Sequence, residues 1–145
     1  GFVVFVTSFR FMESGYDLAQ LAREAQIRWL KPPEVFFILQ NCNDQQLSSN
    51  VPHKPPGGSL FLYNKRVLKS FRKDGHSWRK RTDQRTAREA HERLKVGNVE
   101  ALSCYYAHGE ENPNLCRRCF WMLDPAYEHI VLVQYREVVQ GYLKT

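Results

Sequence analysis

Asp74-Gly75-His76-Ser77-Trp78-Arg79-Lys80-Arg81 places a tight-turn signal directly before an imidazole and three cations. Along an extended strand, successive side chains point to opposite faces. Trp78 and Lys80 then form one set, and Ser77, Arg79 and Arg81 the other. A guanidinium can donate two hydrogen bonds to guanine O6 and N7, and an ammonium reaches the same atoms. His76, Arg79, Lys80 and Arg81 are therefore candidates to read base edges in a duplex entered edge-on. Trp78 would anchor the strand to the core or lie against a sugar or thymine methyl. Lys54, Lys69, Arg72, Lys73, Ser77, Arg85 and Arg88, joined by Lys65 and Arg66, are candidates for phosphate contacts. Such contacts fix register but carry no sequence preference.

The charge distribution supports this reading. From Lys65 to Lys95 the chain holds twelve Lys/Arg against four Asp/Glu, while the remainder holds nine against eleven. The whole formal charge of +6 thus comes from one block. Cations that meet phosphates release condensed counterions, which drives affinity for nucleic acid. The plainer reading of such a block is a solvated charged face. Aromatic residues interleaved with the charge (Phe71, His76, Trp78) favour a binding surface.

Other constellations are weaker. Cys104, His108, Cys116 and Cys119 have ligand types suited to tetrahedral zinc. In strands, however, Cys116 and Cys119 face opposite sides, and Cys104 and His108 stand about 13 Å apart. Free, mostly buried thiols and no metal are expected. His76 beside Asp74, or His108 beside Glu110 and Glu111, could act as acid–base pairs. No phosphate-binding Gly-rich loop, nucleophile elbow or paired-His metalloprotease motif occurs, so neither catalysis nor a cofactor is expected. Arg117 and Arg118 could meet phosphates or pair with Glu110 or Glu111.

Positioning these residues requires a core. At 145 residues the chain suits one domain, and 43% hydrophobic with 13% aromatic content supplies core material that disordered chains lack. Its longest apolar run, residues 1–11, is too short to span a membrane. Leu18, Leu21, Ala22, Ala25 and Trp29 recur at helical spacing, predicting a helix from Asp17 to Leu30. Lys31-Pro32-Pro33 ends it and starts a second, buried one, Pro33 to Gln40. A loop follows over residues 41–58. Strands are expected at Ser59–Tyr63, Arg66–Phe71 and His76–Arg81, with Asp74-Gly75 as a hairpin turn. A third helix, Ala87 to Val96, is capped by Thr86 and stopped by Gly97. Three further strands cover Val99–Ala107, Cys116–Leu123 and His129–Val138. The last begins as a continuous apolar run, as a strand buried on both faces would. The expected class is α+β: a mostly antiparallel sheet, two N-terminal helices, and one further helix after the basic strand.

Four long blocks carry a family resemblance: EAQIRWLKPPEVFFIL (24–39), PPGGSLFLYNKRVLKSFRKDGHSWRKR (55–81), AREAHERLKVGNVEALSCYYAHGEENPN (87–114) and FWMLDPAYEHIVLVQYREV (120–138). The chain resembles the CG-1 domain, the N-terminal DNA-binding module of calmodulin-binding transcription activators. The resemblance implies sequence-specific binding of double-stranded DNA with a CGCG core, action in the nucleus, and an import signal proposed around residues 72–85. Full family proteins also carry an immunoglobulin-like TIG domain, ankyrin repeats and calmodulin-binding IQ motifs. None is visible here, so calmodulin binding is expected elsewhere in such proteins. A CGCG core is self-complementary, which makes a dimer on a palindromic site geometrically feasible. The family usually has other residues at Cys116 and Cys119. Residues 1–15 match nothing in it and read as a tag or flexible extension, with 16–141 as the domain and 142–145 as a tail. DGHSWRKR is also similar to the DGYRWRKY-type strand of plant WRKY domains, which enters the major groove. The rival readings are a non-specific or RNA-binding charge module and a zinc-dependent enzyme.

Overall fold

A computed structural model describes residues 15–80 and 89–139. Helix α1 spans Leu18–Glu24. Asp17 caps it, its Oδ1 accepting from the Ala19 and Gln20 amides at 2.9 and 3.4 Å. α1 buries Leu18, Leu21 and Ala22 but stops short of the expected Leu30. Its exit is held by Gln134, whose Nε2 donates to the carbonyls of Ala25 (2.9 Å) and Arg28 (2.7 Å). The chain there turns toward the sheet instead of continuing the helix. Helix α2, Pro32–Asn41, has its prolines at the first positions, where no amide proton is needed. Glu34 accepts from the Lys31 amide at 2.7 Å and receives a two-pronged grip from Arg28 at 2.9 and 2.8 Å, which ties the two helices together. Val35, Phe37, Ile38 and Leu39 are buried, as their continuous apolar run predicts.

After a loop with one 3-10 turn (Asp44–Gln46) come five strands: β1 Leu60–Asn64, β2 Ala90–Val96, β3 Val99–His108, β4 Leu115–Met122 and β5 Ile130–Glu137. They form one antiparallel sheet in the order β1-β5-β4-β3-β2. The α+β class holds. Alternating positions divide the core. Leu60, Leu62, Leu102, Cys104, Phe120, Met122 and Leu132 face α1 and α2. Phe61, Tyr63, Ala107, Cys119, Val131, Val133 and Tyr135 face the other way, where Phe71 and Trp78 of the basic segment cover them. β5 lies inside the sheet with both faces covered, which explains its unbroken buried run from Ile130 to Tyr135.

Three expectations are corrected. Residues 90–96 of the expected third helix are strand β2, paired with β3 through a two-residue turn at Gly97-Asn98 in which Gly97 has φ +63°. Helix-favouring Ala, Glu, Leu and Lys yield there to pairing with β3, since propensity is weak against tertiary context. The charges then blunt an edge strand. Thr86 and Ala87 lie outside the described residues. Arg66–Phe71 is not a strand. Asn64 Oδ1 accepts from the Arg66 amide (3.0 Å), and the carbonyls of Asn64 and Leu68 take later amides, so the chain coils into successive turns. Asp74-Gly75 consequently joins no hairpin of ladder strands. The segment from His76 is extended only locally, with an isolated bridge between Trp78 and Gly109.

Gln134→Leu is expected to destabilise the chain by about 1–3 kcal/mol, because the carbonyls of Ala25 and Arg28 lose a buried donor. Urea unfolding checks this. A loss no greater than that of a surface substitution would show that Gln134 does not hold the α1 exit.

Candidate nucleic-acid interface

A segment rich in cations cannot cover a sheet by burying charge, so it does so through two aromatic anchors. Phe71 and Trp78 are 3% and 6% exposed. Between them the chain reverses at Gly75, φ +86°, where a Cβ would overlap the His53 ring. Asp74, 2% exposed, sits beneath this reversal. Its Oδ2 accepts from Arg117 Nη1 at 2.8 Å and from the Tyr135 hydroxyl at 2.7 Å. Its Oδ1 accepts from Trp78 Nε1 at 3.0 Å and from the His76 amide at 3.2 Å. Its carbonyl accepts from the Lys54 amide at 2.6 Å. One residue thus joins the basic segment and strands β4 and β5 through its carboxylate, and the preceding loop through its carbonyl.

Arg117 extends the network. Nη1 also donates to the Arg72 carbonyl (2.9 Å), and Nη2 to Glu89 Oε2 (3.3 Å). Glu89 in turn accepts from Arg72 Nε at 3.1 and 3.2 Å. The Arg117 guanidinium lies 4.4 Å from the Trp78 ring centroid. Burial, and then the Asp74 charge, push the Tyr135 hydroxyl well above its ordinary pKa, so it remains a donor.

What this scaffold exposes is mostly cationic, with Glu110 and Glu111 also exposed beside the ribbon. Lys54, Lys69, Lys73, Ser77, Arg79 and Lys80 are all exposed. Among the described residues, none of these five cations is in an ion pair. The Arg79 amide donates to the His108 carbonyl (2.8 Å) and the Glu110 amide to the Ser77 carbonyl (2.9 Å), making a short two-stranded ribbon with residues 108–110. Lys54, His76, Ser77 and Asn112 line a hollow of about 240 Å³ beside it. Trp78 points to the core, as the anchoring reading expects. Lys80 is exposed although it shares Trp78's parity.

Other sequence candidates are placed differently. Arg72 is half-buried against Glu89, and Arg66 pairs with Glu128 at 3.5 Å. His76 Nε2–H donates to the Pro55 carbonyl at 2.7 Å, so only Nδ1 is free for a ligand. Its ring does not pair with the Asp74 carboxylate. Lys65 lies 4.1 Å over Trp121, at the end of a stacked row in which Tyr105 is 4.8 Å from Trp121 and His91 is 4.3 Å from Tyr105. Burial there lowers the Lys65 pKa. Arg81, Arg85 and Arg88 lie outside the described residues.

Arg117 is a correction. It is 1% exposed and bound to Asp74 and Glu89, not to Glu110 or Glu111, and no phosphate can reach it. Asp74, Glu89 and Tyr135 were legible only as a turn residue, a charge in a basic block and an apolar-strand aromatic. Their pairing bridges long sequence gaps that local pattern cannot reveal. The four candidate zinc ligands are dispersed. Cys104 faces the helices and Cys119 the opposite side. Burial raises their thiols to about 12 and about 11. Only His108 Nδ1 and Cys116 Sγ approach each other, at 3.3 Å.

The family model described as the CG-1 domain matches residues 24–138. The chain is 63% identical, over 85% of its length, to calmodulin-binding transcription activator 4 of Arabidopsis thaliana. It is 46% identical over 83% of its length to calmodulin-binding transcription activator CBT of Oryza sativa, and 39% identical over 78% to calmodulin-binding transcription activator 2 of Homo sapiens. It spans 12%, 13% and 9% of those proteins. No solved structure matches it.

Asp74→Asn is expected to cost about 3–5 kcal/mol in urea unfolding, because the buried guanidinium loses its nearest counter-charge and keeps only the longer contact to Glu89. Adding Arg117→Met should cost less than the sum of the single losses, since the two side chains act as a pair. Additive losses would separate them energetically.

Proposed function

Because the chain belongs to the CG-1 domain family, we propose that it is the sequence-specific double-stranded DNA-binding module of a nuclear transcription activator, reading sites with a CGCG core. The observation that carries this reading is a set of exposed cations that form no ion pair among the described residues: Lys54, Lys69 and Lys73 on the loop and turns before the ribbon, and Arg79 and Lys80 on the ribbon itself, which Trp78 anchors to Asp74. The relatives' shared description as transcription activators agrees with it. A major groove admits a two-stranded ribbon. Residues 76–80 against 108–110 form one, and Arg79 and Lys80 at its exposed end are its base-reading groups, with Arg81 next and His76 through Nδ1. Lys54, Lys69, Lys73 and Ser77 take phosphates, as do Arg85 and Arg88. Arg72, shared with Glu89, contributes less than Lys73. The CGCG preference itself rests on the family resemblance.

The proposed unit is residues 16–141, and it acts without catalysis. Calmodulin binding belongs to other parts of proteins of this family. A palindromic site presents the same edges twice and so suits a symmetric pair of domains. The aromatic row His91-Tyr105-Trp121 does not favour single-stranded RNA. Its rings stack on one another and on Lys65, leaving few open faces for bases.

Fluorescence anisotropy against a CGCG duplex and a scrambled duplex at two salt concentrations tests the reading. The chain should prefer CGCG at both. Arg79→Ala should cost about 1–3 kcal/mol on the CGCG duplex and little on the scrambled one. Equal weakening on both would remove Arg79 from base reading. Lys73→Ala should weaken both duplexes alike and lower the salt slope by about one. An unchanged slope would exclude Lys73 from the phosphate set.

A further inference from the structure

Arg118 follows the buried Arg117 on β4 and points to the opposite side of the sheet. Its guanidinium carbon lies 4.0 Å from the Trp29 ring centroid and 5.1 Å from that of Tyr106. Arg28, Arg72 and Arg117 each pair with a carboxylate. Arg118, although half-buried, has no ion pair among the described residues. Aromatic faces hold the plane of a guanidinium without using its N–H donors, which remain available for two oxygens of a carboxylate or phosphate.

Those donors border a cleft of about 530 Å³ that His108, Cys116, Asn114 and Glu92 also line. A neighbouring hollow of about 210 Å³ is lined by Arg79, Ala90, Tyr106 and His108. The two share Ala90, Tyr106 and His108 as lining residues, so among the described residues the hollows adjoin between Arg79 and Arg118. Glu92 is the opposing charge in the cleft, yet it forms no ion pair with Arg118.

The geometry points to Arg118 as a second anion site, which takes a backbone phosphate of the same duplex whose bases meet Arg79. This rests on the DNA-binding reading above and extends the footprint around the edge of β2 and β3. Trp29 and Tyr106 are positioning residues that hold the guanidinium flat. Glu92 opposes the phosphate and tempers the affinity of the site.

The test is duplex binding by the full chain across a salt series, with Arg118→Met, Arg118→Lys, Glu92→Gln and Lys73→Ala beside the unaltered chain. Methionine keeps the apolar packing against Trp29 and Tyr106 but removes the charge. Arg118→Met should weaken CGCG and scrambled duplexes alike and lower the salt slope by about one. Arg118→Lys should keep the slope. Glu92→Gln should strengthen binding about two- to fivefold. This last variant tests the cleft even if Arg118→Met unfolds. An unchanged slope in folded Arg118→Met, with Lys73→Ala showing its reduction, would overturn the Arg118 site and leave the DNA reading standing. So would unaltered binding by Glu92→Gln. No duplex binding by the unaltered chain would overturn both.

Discussion

The buried pair of Asp74 and Arg117 fastens the basic segment to the sheet. A carboxylate taken out of water is tolerable only when its lone pairs are filled and its charge is met. Asp74 meets that requirement with four donors from three parts of the chain: Arg117 on β4, Tyr135 on β5, and the Trp78 indole and His76 amide of its own segment. Each donor is thereby fixed in direction. The basic segment has no regular secondary structure to hold it, so this network takes the place of a ladder.

The consequence is a division of labour along one short stretch. Phe71 and Trp78 cover the sheet face that α1 and α2 leave open, while Asp74 locks the turn between them. Residues that would otherwise be drawn inward by the same acids are kept outside. Arg72 and Arg117 absorb Asp74 and Glu89. Among the described residues, Lys69, Lys73, Arg79 and Lys80 are thus left without acidic partners and face solvent. Two arginines spent on internal acids are what keep the neighbouring cations available. Charge neutralised within the fold adds no attraction for phosphate, and charge held outward on a rigid frame does.

Much of this was legible in the residues. Leu18, Leu21 and Ala22 gave α1 by their spacing, Pro32-Pro33 marked the start of α2, and the apolar run from Ile130 showed a strand with two covered faces. The concentration of cations between Lys65 and Lys95 was legible from composition alone. Two stretches misled for physical reasons. Ala90–Val96 carries helix formers, and only its pairing with β3, which local propensity does not encode, makes it a strand. Arg66–Phe71 has the alternation of a strand, but Asn64 captures the following amide and starts turns instead. Arg117 looked like a surface cation, because its partner Asp74 lies 43 positions earlier and nothing local announces it.

Amide hydrogen exchange with and without a CGCG duplex would locate the bound surface on the chain. Added protection is expected at residues 76–80 and 108–110, with α1, α2 and strand β1 unchanged. Protection confined to the helical face, with the ribbon exchanging as freely as before, would contradict it.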